Sequence, residues 1–274
     1  DKKKKIAILR SNGALEDIYM ADFLKTAREY YFIAPFTLDS VATNPEKTLH
    51  DLEKFDLLLV PKPTEPFTDA QKQVVDQYIM NGGRALWLID NVAVSLEDMY
   101  KTGGMTMAMP VNLNLTDMFF QYGFRINYTL VNDLYFSEII VATGDGSQTR
   151  YMPIPWVYNP LVISGNNHLI NNHLDAVRFQ FANSIDTLKN GVKKTVLLAS
   201  SPFSKADGTP REINLRFDPN NQNKEAYKHG NIPLAVLLEG EFNSVYKDRI
   251  RPINLKEKSD RSKPTKMLVV ADGD

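Results

Sequence analysis

The sequence predicts an α/β fold: a mostly parallel sheet with helices on both faces, and additional antiparallel strands in the second half. Three observations carry this reading. Short continuous apolar runs at Ile6–Leu9, Leu57–Val60 and Ala85–Ile89 have the character of strands buried on both faces. Stretches of helical periodicity separate them. The resulting strand–helix alternation over the first hundred residues calls for parallel pairing through right-handed crossovers.

Taken in order, Ile6–Leu9 is the first strand and Ser11-Asn12-Gly13 the turn that ends it. A helix is expected from Leu15 to about Tyr30, with Leu15, Ile18, Tyr19, Phe23, Leu24 and Ala27 forming its buried stripe. Tyr31–Leu38 is the second strand and Leu57–Val60 the third. Thr68-Asp69-Ala70-Gln71 has the form of a capping box, in which threonine and glutamine each satisfy the other's free amide. The helix it opens should bury Val74, Val75, Tyr78 and Ile79 and stop at Gly82-Gly83. Ala85–Ile89 is the fourth strand.

The second half is less regular. Leu115–Tyr122 reads as a short helix closed by Gly123. Residues 126–142 and 149–163 are rich in β-branched and aromatic side chains and predict strands, with Pro153, Pro155 and Pro160 confining the latter to edges. Val177–Phe181 is a further strand. Thr195–Ala199, Leu234–Leu238 and Met267–Ala271 return to the buried type, and we expect all three to rejoin the parallel sheet. Residues 203–231 and 254–264 are polar and read as surface excursions. Residues 1–109 thus form a regular βαβ core, which 110–274 continues with insertions, as a single domain over 1–274.

Composition narrows the function. With 32 basic against 33 acidic side chains, the surface offers no electrostatic case for nucleic acid. The run Lys2–Lys5 reads as the polar start of the first strand rather than a basic arm. The absence of cysteine excludes disulfides, thiolate catalysis and Cys-ligated metals. No apolar run reaches the length needed to span a bilayer.

Open parallel sheets bind ligands at the carboxyl ends of their strands. The candidates are therefore Ser11 and Asn12 after the first strand, Lys62 after the third, and Asp90 and Asn91 after the fourth. Ser200-Ser201, Glu239-Gly240 and Asp272-Gly273-Asp274 follow the later strands. Serine, asparagine, aspartate and glycine are also what turns and caps require, and that is the plainer account of them. A nucleophile elbow would set Ser or Cys between glycines after a strand. The fourth strand instead runs Leu88-Ile89-Asp90-Asn91-Val92-Ala93, so hydrolase chemistry lacks its nucleophile there. Gly103-Gly104 and Gly144-Asp145-Gly146 match no phosphate-binding fingerprint and read as turns. His168 and His173 lie in an Asn-rich segment without helical character, a poor metal pair. Trp156 and Tyr158 either present a recognition surface or, the favoured reading, cover the core. No catalytic residue, metal site or cofactor is expected.

Several segments together carry a family resemblance: Phe67–Lys72, Val75–Asp90, Tyr122–Asn127, Pro155–Pro160, Phe181–Asp186, Lys194–Leu198 and Ala235–Phe242. In this order they resemble GldG-type gliding-motility-associated ABC transporter components and the wider family of ABC-transporter auxiliary domains. The resemblance implies a glutamine-amidotransferase-like (flavodoxin-like) topology without the nucleophile. It also implies a non-enzymatic domain on the periplasmic side of the inner membrane, cut here from a longer membrane-anchored protein. Its partners would be ABC permease and ATPase subunits. The alternative is a solute-binding receptor that holds a small polar ligand at the strand ends.

Overall fold

The computed structural model describes residues 3–143, 150–215 and 223–274. Its centre is a seven-stranded sheet. The first half supplies β1 (Lys5–Leu9), α1 (Ala21–Tyr30), β2 (Phe32–Phe36), α2 (Pro45–Leu52), β3 (Leu57–Pro61), α3 (Asp69–Met80) and β4 (Arg84–Leu88). An intervening region follows, with β5 (Val92–Ala93), α4 (Leu96–Lys101), β6 (Met105–Pro110), α5 (Thr116–Tyr122), β7 (Phe124–Ile126) and β8 (Thr129–Asp133). It continues through β9 (Ile139–Thr143), β10 (Arg150–Ile154), β11 (Leu161–Val162), β12 (Val177–Arg178) and β13 (Ile185–Thr187). The chain then returns to the sheet with β14 (Lys193–Ala199), leaves it for β15 (Ser204–Gly208) and β16 (Arg211–Asn214), and closes it with β17 (Pro233–Gly240) and β18 (Thr265–Val270).

The strand order is β14-β17-β18-β4-β3-β1-β2. The five strands from β2 to β18 are parallel. All three late apolar runs do join this sheet, but not all in parallel. β17 runs antiparallel to both β18 and β14. The reason is local: β17 connects to its neighbour β18 through residues 241–264 without a crossover helix, so the chain comes straight back. The remaining strands form four small antiparallel pairs, β9–β10 among them, and one three-stranded antiparallel sheet of order β16-β6-β5. The polar region from 203, expected to be an excursion, contains β15 and β16, which pair with β8 and β6.

Handedness distributes the helices. Going from β1 to β2 the chain moves toward one edge, and α1 falls on one face, over Ile6, Ile8 and Leu59. The connections toward β3, β4 and β18 move the other way, and α2, α3 and α5 fall on the opposite face. There they enclose the main core around Leu58, Val60, Trp87 and Val269. The helix expected from Leu15 is shorter than its pattern: a 3-10 turn at Asp17–Met20 precedes α1. Of its predicted stripe Leu24 and Ala27 are buried, while Ile18, Tyr19 and Phe23 face solvent.

The capping box of α3 is formed as expected. The Thr68 hydroxyl accepts from the Gln71 amide at 3.2 Å, and Gln71 Oε1 accepts from the Thr68 amide at 2.9 Å. Replacing the cap by alanine (Thr68→Ala) should cost about 1 kcal/mol of stability in urea denaturation. An unchanged midpoint would mean the cap is not formed in solution. The helix is buried on its polar side as well. Gln73 and Gln77 each exchange two hydrogen bonds with backbone groups of residues 241–264, at Ile253 and Ser259. That segment is thus laced onto α3 through side-chain amides.

Both edges of the sheet are blunted. On β2, Lys4 and Arg10 bond Phe32 and Phe36, which leaves the intervening Pro35 nitrogen, without a hydrogen, on the open side. On β14, the Asn166 and Asn171 side-chain amides donate to the Val196 and Leu197 carbonyls. Trp156 and Tyr158 lie in the core with Phe181 rather than on a recognition surface, at ring separations of 5.3 to 6.4 Å. Gly103 and Gly104 are in a turn. Gly144-Asp145-Gly146 lies outside the described residues.

Candidate functional site

Register builds a charged cluster at the carboxyl ends of three adjacent strands. Leu88 of β4 is level with Pro61 of β3 and with Val270 of β18. Lys62, one residue beyond Pro61, and Asp90 and Asp272, two beyond Leu88 and Val270, therefore emerge at neighbouring strand ends. Lys62 Nζ stands 3.1 Å from Asp90 Oδ2 and also pairs with the Asp274 carboxylate. Asp90 Oδ1 accepts the Gly273 amide at 2.8 Å. Asp272, almost fully buried, accepts the Gln180 amide at 2.6 Å on one oxygen and the Asp274 amide at 2.9 Å on the other.

The backbone is bent to make this arrangement. Lys62 has φ of +44°, a left-handed conformation that costs a non-glycine residue about 1 kcal/mol or more. Its amide is held by the Leu88 carbonyl at 2.8 Å. Glycine is required opposite, because a Cβ on Gly273 would sit 2.6 Å from Lys62 Cβ.

The cluster holds one ammonium and three carboxylates, of which Asp90 and Asp274 pair with Lys62 while Asp272 has backbone amides as its partners. For Lys62, burial pushes the ammonium's pKa down, but Asp90 and Asp274 outweigh it and hold the group above its ordinary value. Burial drives Asp90 up; Lys62 pulls it back and Asp274 adds repulsion, so the net shift stays upward. Asp272 is raised further, by burial first and by the Asp90 charge second. The cluster thus tends to retain a proton where ordinary aspartates have lost theirs.

A carboxyl raised on folding contributes stability that is complete below its unfolded pKa near 4 and is lost as pH rises through the folded value. Asp272→Asn keeps the shape, forfeits one of the two accepted hydrogen bonds and removes the titration. Its destabilisation should therefore be largest near pH 4 and shrink as the pH is raised, read from urea midpoints at a series of pH values. A penalty that grows with pH would mean the carboxylate is favoured when charged.

Not all the expected site residues converge. Lys62 and Asp90 meet. Ser11 and Asn12 instead stabilise their own turn: Ser11 Oγ donates to Asn12 Oδ1 and accepts the Leu38 amide, and Asn12 Nδ2 reaches Gln71 Oε1 of the capping box. Asn91 turns the other way, its side-chain amide donating to the Ile126 carbonyl and its backbone amide donating to Asn183 Oδ1. His168 and His173 lie in a turn segment, where His168 Nδ1 accepts the Ile170 amide at 3.2 Å. Asp272 and Asp274 were visible in sequence only as a strand-end triplet. The strand order that seats them beside Lys62 was not.

These features define a mixed α/β domain with a large, mostly parallel sheet and a charged cluster at its carboxyl edge. The chain belongs to the family described as "ABC-type uncharacterized transport system", whose profile matches residues 3–274. Membership makes it an accessory component of an ABC transport system. Among proteins of curated function none matches the sequence. Among solved structures it is similar to the mmIFT52 N-terminal domain, with a TM-score of 0.54 at 12% identity over 98% of this chain and 86% of that one. At that identity the likeness is one of fold alone.

Proposed function

We propose that this domain is a non-enzymatic accessory subunit that works with the permease and ATPase subunits of an ABC transporter. The observation that carries it is the family match over nearly the entire chain. In this reading the domain stands on the periplasmic side of the inner membrane, attached to the bilayer through other parts of its protein. No helix among the described residues is long and apolar enough to cross a membrane. The order of the segments Phe67–Lys72 through Ala235–Phe242 supports the finer assignment to the gliding-motility-associated group. The strand order β4-β3-β1-β2 beside β18 supports a glutamine-amidotransferase-like (flavodoxin-like) topology.

The test is co-purification of the natural protein from detergent-solubilised membranes. A permease and an ATPase recovered in fixed proportion support the reading; a solitary protein counts against it. Ester, amide and phosphate substrates should show no turnover, and activity that persists through repurification would defeat the non-enzymatic part.

A second reading, a receptor for a small polar solute, is favoured by one observation: the partly exposed Lys62–Asp90–Asp274 cluster at the strand ends. Asp90→Ala should then abolish a solute-induced thermal shift while leaving the fold intact. No shift with any compound of a broad polar-solute screen would end this reading.

A further inference from the structure

Asparagine followed by glycine is the dipeptide in which the backbone most readily attacks the side chain, because glycine sets no Cβ beside the nitrogen that does so. The chain contains three such pairs, Asn12-Gly13, Asn81-Gly82 and Asn190-Gly191. The fold treats them differently. Asn12 is buried, with Nδ2 held by Gln71 Oε1 at 2.9 Å and Oδ1 by the Ser11 hydroxyl. At the end of α3, Gly82 gives its amide to the Ile79 carbonyl at 2.9 Å, so the attacking nitrogen is occupied.

Asn190-Gly191 lies in the exposed link between β13 and β14. Gly191 has φ of +81°, and its amide has no hydrogen-bond partner among the described residues. Asn190 Oδ1 accepts from the Lys194 ammonium and, at 3.3 Å, from the Val192 amide. These two donors face the oxygen that carries negative charge once a nucleophile adds to Cγ, as the donors of an oxyanion hole do. Lys194 is itself anchored, donating to the Leu188 carbonyl at 2.6 Å. Nδ2, the group that must leave, is held among the described residues by one bond of 3.3 Å to the Gln121 carbonyl.

We propose that Asn190 is a site of spontaneous covalent modification, converted to aspartate and isoaspartate by attack of its own backbone with Lys194 assisting. The Gly191 nitrogen gives its proton to water and bonds to Asn190 Cγ. The Cγ–Nδ2 bond breaks and ammonia leaves, closing a five-membered succinimide. Water then adds to either carbonyl carbon of the ring, and the ring nitrogen takes up a proton as its bond to that carbon breaks. Aspartate or isoaspartate is left at position 190. The product alters a packed junction: Asn190 covers the Gly123 backbone so closely that a Cβ there would lie 2.5 Å from its amide group. A carboxylate loses the bond to Gln121, and isoaspartate adds a backbone carbon shortly before β14. None of this depends on the transporter assignment.

The test is to hold the folded domain in mildly alkaline buffer at body temperature and follow it by peptide mapping with mass spectrometry. Position 190 should gain about 1 Da, with isoaspartate among the products, while Asn12 and Asn81 stay intact. Gly191→Ala sets a methyl group beside the attacking nitrogen and should slow the reaction at least about fivefold. Lys194→Met keeps most of the stem, removes the charge and should slow it about threefold or more. In urea strong enough to unfold the chain, the three sites should convert at comparable rates, because the fold no longer distinguishes them.

A folded chain that keeps Asn190 intact while its unfolded form converts would overturn the proposal, as would conversion at Asn12 or Asn81 ahead of position 190. Unchanged or faster conversion in Lys194→Met would show that the hydrogen bonds on Oδ1 restrain the side chain instead of activating it, and the proposal falls. Aspartate formed without isoaspartate would mean direct hydrolysis of the side-chain amide and would overturn the backbone route.

Discussion

Asp76→Ala should destabilise the domain by at least about 3 kcal/mol in urea denaturation at neutral pH. Asp76 lies inside α3 with no exposed surface. Its two oxygens accept from four donors: Tyr122 Oη at 2.9 Å, the Val245 amide at 3.0 Å, Ser244 Oγ at 2.6 Å and Gln77 Nε2 at 2.9 Å. Burial pushes its carboxyl up, the donors pull it back, and the net shift remains upward. Alanine would strand buried donors on α3, α5 and the 241–264 segment at once, each costing about 1–3 kcal/mol if left unsatisfied. Ser244→Ala removes one of the four donors, together with the acceptor of the Tyr246 amide, and should cost less than Asp76→Ala. A loss under about 1 kcal/mol for Asp76→Ala would mean that water or rearranged side chains replace the carboxylate, and the network would not be a structural joint.

Trp87→Ala should cost about 3–5 kcal/mol. The indole projects from the fourth of β4's five residues onto the sealed face, fully buried, with its ring 5.1 Å from that of Phe119 in an edge-to-face arrangement. Phe119 in turn stacks on Phe124 at 4.6 Å, so the contact joins the sheet to α5 and to β7 behind it. The cavity left by alanine would lie between a sheet and helices fixed on several sides, where collapse is limited. Trp87→Phe retains part of the ring contact and should lose less than half of that. Chemical denaturation followed by far-ultraviolet circular dichroism reads both; equal losses would show that the indole itself, rather than the volume it fills, sets the cost.

Much of the sheet was legible from the sequence, because a strand buried on both faces leaves a continuous apolar run. β1, β3, β4, β14, β17 and β18 all coincide with such runs. Direction was not legible for β17, since an apolar run is the same in either sense. β15, Ser204–Gly208, escaped notice because its residues have little strand character. Its pairing with β8 makes it a strand, and pairing over that separation leaves no local signal.

The site was half legible. The rule for parallel sheets pointed to Lys62 and Asp90, and the structure joins them. It also pointed to the Asp272–Asp274 triplet but could not seat it beside Lys62, because β18 reaches β4 after more than 170 intervening residues. Ser11, Asn12 and Asn91 obey the same positional rule, but their side chains serve the turns that contain them. Ile18, Tyr19 and Phe23 were read as core from their periodicity. That periodicity describes a helix face prepared for burial, and burial within this domain is not what the face receives.

The proline of β2 and the two asparagine amides over β14 have a consequence for how this domain can meet others. With a missing amide hydrogen on one margin and two occupied carbonyls on the other, the central sheet is a poor template for an added strand, and copies crowded together gain little by pairing along it. A partner that meets this sheet is better served by its faces than by its seams.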